Sequence, residues 1–314
     1  MKKLMLAGNC QVAALQQWLA KALPNVELVT LSAYHLIRDE GEISSWLSHA
    51  DTSDLALMIP VKSGYRGFSN LGLEEFQRVL GARLICYPNL HSEIFFPFFG
   101  YAKTREGRTI TNSEFGGDQY GDYHDFLAMA LFSSSLKPWK LNRIRLRLAA
   151  LNTALIGKLA SNALRESDSR MKAISPYFDI MKTTIDAHFG FSFNHPNSTL
   201  LNELYKSIWC KVFRFSETSF MPLDFEPFGD SVPLPVPDFI AHRVRSIRGI
   251  LATQPSSIAR DFMSLPNYEE RLFRSLRYYQ NNEWVVSSNT RHPKFLRAKQ
   301  FIRLGWGLDQ AQAG

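Results

Sequence analysis

A glycine, two amides and a thiol share one turn of "MLAGNCQVAAL", residues 5–15. Gly8-Asn9-Cys10-Gln11 closes a short apolar run and precedes an apolar pattern of helical period. At a helix N-terminus, exposed N–H groups and the dipole favour negative charge. A thiolate at Cys10 is therefore expected to form readily, with a lowered pKa. The same N–H groups suit an oxyanion or a phosphate. Gly8 lets the chain bend and a ligand approach, while Asn9 and Gln11 add amide donors. The competing reading of Cys10 is a small buried thiol at a turn, with no chemistry.

Three other stretches carry groups of the same kind. In Asn194-His195-Pro196-Asn197-Ser198 the histidine precedes a helical pattern whose apolar face is Leu201, Leu204, Tyr205 and Ile208. Pro196 biases His195 towards an extended backbone, and the nearby dipole disfavours imidazolium, leaving the neutral ring that a general base needs. In Asp122-Tyr123-His124-Asp125 the spacing predicts Asp122 as an N-cap and puts His124 and Asp125 in the first helical turn, where Asp125 could orient an imidazole. The loop Ser63-Gly64-Tyr65-Arg66-Gly67 joins small residues to one aromatic and one arginine, a phosphate-friendly set. It lacks the G-x-x-x-x-G-K pattern, so nucleotide hydrolysis is not indicated. Each stretch also has a bland reading, as a turn, a cap or an ordinary glycine-rich loop.

The elements that must position these groups alternate over the first 135 residues. Strands are expected at "KKLMLAG", "VELVTLSAY", "DLALMIPV" and "RLICYPNL", the third apolar enough to be buried on both faces. Helices are expected after the first strand, at residues 42–50, and in "LGLEEFQRVLG", which Gly81 would stop. This rhythm argues for a small parallel sheet with crossover helices. In such sheets the ligand crevice lies off the carboxyl ends of the strands. That rule gathers Gly8 to Gln11, Ala33-Tyr34-His35, Lys62 to Arg66, and Asn89-Leu90-His91 at one edge. The rest reads as mainly helical: a basic pattern at 139–165, a candidate at 171–187, the helix after His195, and two more within 258–281 and 292–304. "FMPLDFEPFGDSVPLPVPDF" reads as an irregular excursion whose aromatics want cover. The expected organisation is an α/β subdomain over 1–136 and a mainly helical region over 137–314 that completes the pocket.

Charge follows the same division. Residues 1–136 hold 11 Lys+Arg and 14 Asp+Glu, net −3, and residues 137–314 hold 25 and 15, net +10. A basic second half suggests an anionic partner: cofactor phosphates, a sugar nucleotide or a membrane surface. No nucleic-acid motif accompanies it. Arg143, Arg145 and Arg147 alternate with Ile144, Leu146 and Leu148, which leaves room for peripheral membrane contact. The three cysteines are far apart, with no disulfide framework and no metal-ligand spacing, so a cytoplasmic place and no metal are expected. The N-terminus has two lysines before apolar residues, but Asn9, Gln11, Gln16 and Gln17 interrupt any signal-like segment.

"GNCQ", the Tyr65-Arg66 pair, "YPNLHSEIFFPFFGY", "DYHD" and "FNHPN", in this order over about residues 4–210, resemble the WcbI-type family of bacterial capsular polysaccharide biosynthesis. The resemblance implies a coenzyme A-binding protein with an α/β subdomain, SGNH- or flavodoxin-like, embedded in a larger helical, cradle-like structure. It implies transfer of an acetyl group from acetyl-CoA to a capsule sugar hydroxyl, with other capsule biosynthesis proteins as partners and a place in the cytoplasm or at the inner membrane surface. The family's motifs fall on Gly8, Asn9, Cys10 and Gln11, on Tyr123, His124 and Asp125, and on Asn194, His195 and Pro196. On this reading Cys10, His195, His124 and Asp125 are the candidate catalytic residues. Gly8, Asn9, Gln11, Tyr65, Arg66, Asn89, His91 and Asn194 are the candidate cofactor-binding ones. "GNCQ" also resembles the first block of SGNH-type hydrolases, with Cys in place of Ser. A carbohydrate esterase using the same residues, and a non-catalytic coenzyme A- or glycan-binding partner in capsule assembly, are the alternatives.

Overall fold

The computed structural model describes residues 1–91, 98–110, 122–134, 190–192, 195–228 and 268–310, with backbone alone at 190–192, 268–271 and 304–310. The helical patterns at 139–165 and 171–187, and Asn194, lie outside the described residues. The chain forms two compact units. The first holds residues 1–91 and 195–228, and the second holds 98–110, 122–134, 190–192 and 268–310.

In the first unit β1 (Lys3–Ala7), α1 (Gln11–Ala22), β2 (Glu27–Thr30), α2 (Glu40–Leu47), β3 (Leu55–Met58), α3 (Leu73–Leu80) and β4 (Leu84–Cys86) alternate as the sequence pattern predicts. The sheet order is β2-β1-β3-β4 and all pairs are parallel, with Leu4 opposite Leu28, Met5 opposite Ala56 and Leu57 opposite Ile85. β1 and β3 are central and almost wholly buried, which is why they read as continuous apolar runs. Met5, Ala7, Ala56 and Met58 pack with Ile43 and Trp46 of α2 and Phe76 and Leu80 of α3. Leu4, Leu6 and Leu57 alternate with them and point to the opposite face. The strands are shorter than their apolar runs because the chain turns away at the crevice edge. Gly81, at φ +56, ends α3 as expected.

The first unit is completed by His195-Pro196, α5 (Ser198–Ser207) and an irregular segment to Phe228. Asn197 caps α5 by accepting from the Leu200 N–H at 3.0 Å. The predicted apolar face is buried at Leu201, Leu204, Tyr205 and Ile208. Tyr205 stacks on Trp18 of α1, with centroids 4.8 Å apart. Of the irregular excursion expected at 220–239, residues 220–228 are described, with Leu223 and Phe228 buried and Met221 exposed. Trp18 Nε1 donates to the Met221 carbonyl at 2.7 Å, Lys21 pairs with Asp224 at 2.7 Å, and Asn202 Oδ1 accepts from the Leu223 N–H at 2.7 Å.

In the second unit β5 (Phe99–Gly100) pairs antiparallel with β6 (His124–Asp125), which leads directly into α4 (Phe126–Ser133). His124 and Asp125 are therefore extended, not in the first helical turn. The cap is Asp125, whose Oδ1 accepts from the N–H groups of Leu127 and Ala128 at 2.9 and 3.1 Å; Asp122 does not serve. The shift follows from the β5 pairing, which holds residues 124–125 in a ladder and delays the helix by one turn. α4 is buried from Phe126 to Leu131 and packs against α6 (Tyr268–Asn281) and α8 (Pro293–Gln310). Between these helices, α7 (Glu283–Ser288) leads to Asn289, whose side chain pairs with the backbone N–H and carbonyl of Lys103, both at 2.8 Å. Among the described residues no helix is long and apolar enough to cross a membrane.

Candidate functional site

The order β2-β1-β3-β4 reverses direction between β1 and β3, so the crevice at the carboxyl ends opens where β1 delivers Gly8 to Gln11. β3 separates β1 from β4, yet the loops after β1 and β4 are joined over it. Asn9 Nδ2 and Gln11 Nε2 both donate to Asn89 Oδ1, at 2.8 and 3.1 Å. The Gln11 amide also pairs with the backbone of Leu90, donating to its carbonyl at 2.7 Å and accepting from its N–H at 3.1 Å. Asn9 Oδ1 accepts from the Gln11 N–H at 3.0 Å. Gln11 is 1% exposed. Three of the four amides of the predicted cofactor set, Asn9, Gln11 and Asn89, thus bind one another and fix the start of α1.

Cys10 stands at the N-cap of α1 and is half-buried. The sequence expectation of a lowered pKa is overturned: burial pushes the thiol up from 9.0 to about 11, although the N–H groups of Cys10 and Gln11 pull the other way. The magnitudes explain the outcome. A helix N-terminus favours an anion by roughly 0.3–1 kcal/mol, whereas a rise from 9.0 to about 11 is a net preference of roughly 3 kcal/mol for the thiol. At neutral pH the group is therefore a thiol and needs a base.

Around it lies a cluster of phenols, of which sequence reasoning places only Tyr34 at the crevice edge. Tyr87, one residue past β4, is 1% exposed, and burial, then the charge of Cys10, raises its pKa far above the usual range. Tyr205 of α5 is equally buried, and its pKa is also raised, first by burial and then by Tyr87. Tyr34, after β2, donates its hydroxyl to the Ile59 carbonyl at 2.8 Å, and its N–H to the Gly8 carbonyl at 2.9 Å. For Tyr87 the available signal was position: it immediately follows the end of β4, one of the strand ends that the crevice rule singles out.

His195 is stacked on Phe228, with ring centroids 4.6 Å apart and planes 1° from parallel. Its pKa is lowered to about 4, first by burial and then by the charge of His35 in the loop after β2. The expected neutral ring is observed, with desolvation rather than the helix dipole as its main cause. His195 and Cys10 belong to the same unit, His195 beside the β2 loop and Cys10 at the end of β1. Arg66 has left-handed backbone, at φ 57, and its Nη1 donates to the carbonyls of Tyr34 and Ile37, each at 3.1 Å. Tyr65 is exposed and lies 6.3 Å from Tyr34, ring to ring. His91 is half-buried in the loop after β4. His124 and Asp125 are in the second unit. There burial lowers the His124 pKa to about 4, and its Nδ1 lies 3.3 Å from the Tyr279 hydroxyl. Among the described residues no cluster of His, Cys, Asp or Glu could hold a metal ion.

A four-stranded parallel sheet with helical crossovers and a thiol at the N-cap of α1 defines an α/β protein. A solved structure with which the chain shares 15% identity has the same fold, with a TM-score of 0.72 over 97% of this chain and 99% of that one. It is described as WcbI, a novel polysaccharide biosynthesis enzyme, in a native form without a disulfide bond between coenzyme A and one of its cysteines. No match is found among curated proteins. The family model "Polysaccharide biosynthesis enzyme WcbI" matches residues 3–212, and the chain belongs to that family.

Two measurements check the electrostatics. Alkylation of Cys10 by iodoacetamide, followed by peptide mass spectrometry, should be slower at pH 7 than for a free cysteine and should climb steeply above pH 9. A plateau reached by pH 7 would contradict it. His195 and His124 have pKa values lowered in the folded chain, so the unfolded chain binds more protons as pH falls from 6.5, and stability drops with it. Urea unfolding at pH 7 and pH 5 should show a loss of about 2 kcal/mol per histidine. His195→Gln should remove about half of that loss.

Proposed function

We propose that the chain is an O-acetyltransferase that uses acetyl-CoA to acylate a sugar hydroxyl of a bacterial capsular polysaccharide. The observation that carries this reading is Cys10 at the N-cap of α1, set at the switch point beside a buried hydroxyl that has no partner, Tyr87 Oη. Family membership supplies polysaccharide biosynthesis, and the similar structure's description names coenzyme A together with a cysteine. The order β2-β1-β3-β4 supports a flavodoxin-like label for the subdomain.

The residues present fit the coenzyme's thiol end: a glycine where a side chain would crowd the turn, helix N–H groups, and an orphaned donor. When bound, the thioester supplies an activated acyl group. The N–H groups at the start of α1 face the position where negative charge develops on the acyl oxygen. The neutral ring of His195 accepts the proton of the attacking sugar hydroxyl. His124 is the second candidate for that task, and Asp125 fixes its backbone by capping α4. Cys10 is a thiol at neutral pH, so an acyl-enzyme route requires a base to take its proton before attack. Tyr65, Arg66, His91 and Asn194 remain the proposed contacts for the rest of the coenzyme. The basic second half suits its phosphates or an anionic membrane surface. The reading carries a cytoplasmic place, at or near the inner membrane.

Calorimetric titration should show saturable binding of coenzyme A and acetyl-CoA, with an upward shift of the melting temperature that grows with concentration. Binding of neither overturns the reading. Cys10→Ala should abolish acetyl transfer if Cys10 is acylated; full retention assigns it to the pocket wall. Acetate release from an acetylated glycan without coenzyme would indicate the esterase instead.

A further inference from the structure

Glycine at position 8 is not required by its own backbone, since Gly8 is absent from the positive-φ glycines of the chain. It is required by space. A Cβ there would stand 3.1 Å from Ile59 Cδ1 and 3.2 Å from Tyr87 Oη. The missing side chain therefore lets the Tyr87 hydroxyl and Ile59 pack directly against the backbone of the turn that carries Cys10. That hydroxyl is buried and makes no hydrogen bond, and the same is true of its neighbour Tyr205 Oη. A buried, unpaired O–H costs stability. Native structures keep such groups where a ligand supplies the missing partner, and the thiol of Cys10 lies close enough to influence Tyr87 electrostatically.

We infer that Tyr87 is a catalytic residue, whose hydroxyl donates a hydrogen bond to the carbonyl oxygen of an acyl thioester brought to Cys10, with Gly8 admitting the phenol to the Cys10 turn. This deepens the acetyltransferase reading and rests on it. The donated proton stays on the phenol. As the sugar hydroxyl adds to the carbonyl carbon its proton passes to the His195 ring, and the C=O π pair moves to oxygen, where the Tyr87 O–H and the positive end of α1 stabilise the charge. When the C–S bond breaks, the pair returns to the carbonyl and the thiolate leaves. Tyr87 resists ionisation, which suits a donor that must remain protonated. The ligand class assigned is a short-chain acyl thioester, distinguished from the free thiol by its carbonyl oxygen.

The test is Tyr87→Phe, which removes one unpaired oxygen and preserves the ring. Its melting temperature should equal or exceed that of the wild type by about 2 °C. Coenzyme A affinity should stay within about twofold, acetyl-CoA affinity should fall about tenfold, and acetyl transfer should fall about 100-fold. Gly8→Ala, whose Cβ would press on Tyr87 Oη, should reproduce the selective loss of acetyl-CoA binding. A lower melting temperature with an unchanged ratio of acetyl-CoA to coenzyme A affinity would make Tyr87 a structural phenol and overturn the assignment alone. If the wild type binds neither compound, the acetyltransferase reading fails and the Tyr87 assignment falls with it.

Discussion

The crevice of the first unit depends on the amide strap that joins the loops after β1 and β4 across β3. Asn9, Gln11 and Asn89 satisfy one another, and Gln11 pairs with the Leu90 backbone as a neighbouring strand would. Each such bond contributes roughly 0.5–1.5 kcal/mol net, but leaving any of these buried amides unpaired would cost more. The network therefore acts as one unit. It holds the first turn of α1, and with it Cys10, in a fixed relation to the end of β4, where Tyr87 emerges. The motif "GNCQ" is thus divided in its work: Asn9 and Gln11 build the turn, Gly8 admits the close packing of Ile59 and Tyr87, and Cys10 stands at the N-cap of α1.

The second constraint is desolvation, which acts on the thiol, the buried phenols and His195 of the first unit. It opposes the helix N-terminus at Cys10 and wins. It favours the neutral ring of His195 and raises the pKa of the Tyr34, Tyr87 and Tyr205 phenols; in the second unit it acts likewise on His124. The role of the helix start changes accordingly: its N–H groups offset part of the burial penalty on the thiol without producing a resting thiolate.

Much of this was legible in the sequence. The four strands, the three crossover helices, the Gly81 stop and the buried face of α5 follow from apolar periodicity, because local pattern and tertiary packing agree there. Legibility ended where tertiary partners decide. Asp125 rather than Asp122 caps α4 because Phe99 and Gly100 pair with residues 124–125, and no local signal announces a two-residue ladder with a distant segment. The Cys10 thiol is raised rather than lowered because burial by neighbours outweighs the local dipole. Tyr87 and Tyr205 escaped notice because a tyrosine in an apolar run reads as core; only the unpaired hydroxyl marks it as more.

The central claim is that the turn at Gly8 to Gln11 and the loop at Asn89-Leu90 receive the thiol end of coenzyme A. Hydrogen–deuterium exchange with and without saturating coenzyme A tests it at the amides concerned. The account predicts slowed exchange at Cys10 and in the first turn of α1, together with Asn89 and Leu90. Bound coenzyme with unchanged exchange at both loops, or with protection confined to other segments, would contradict it.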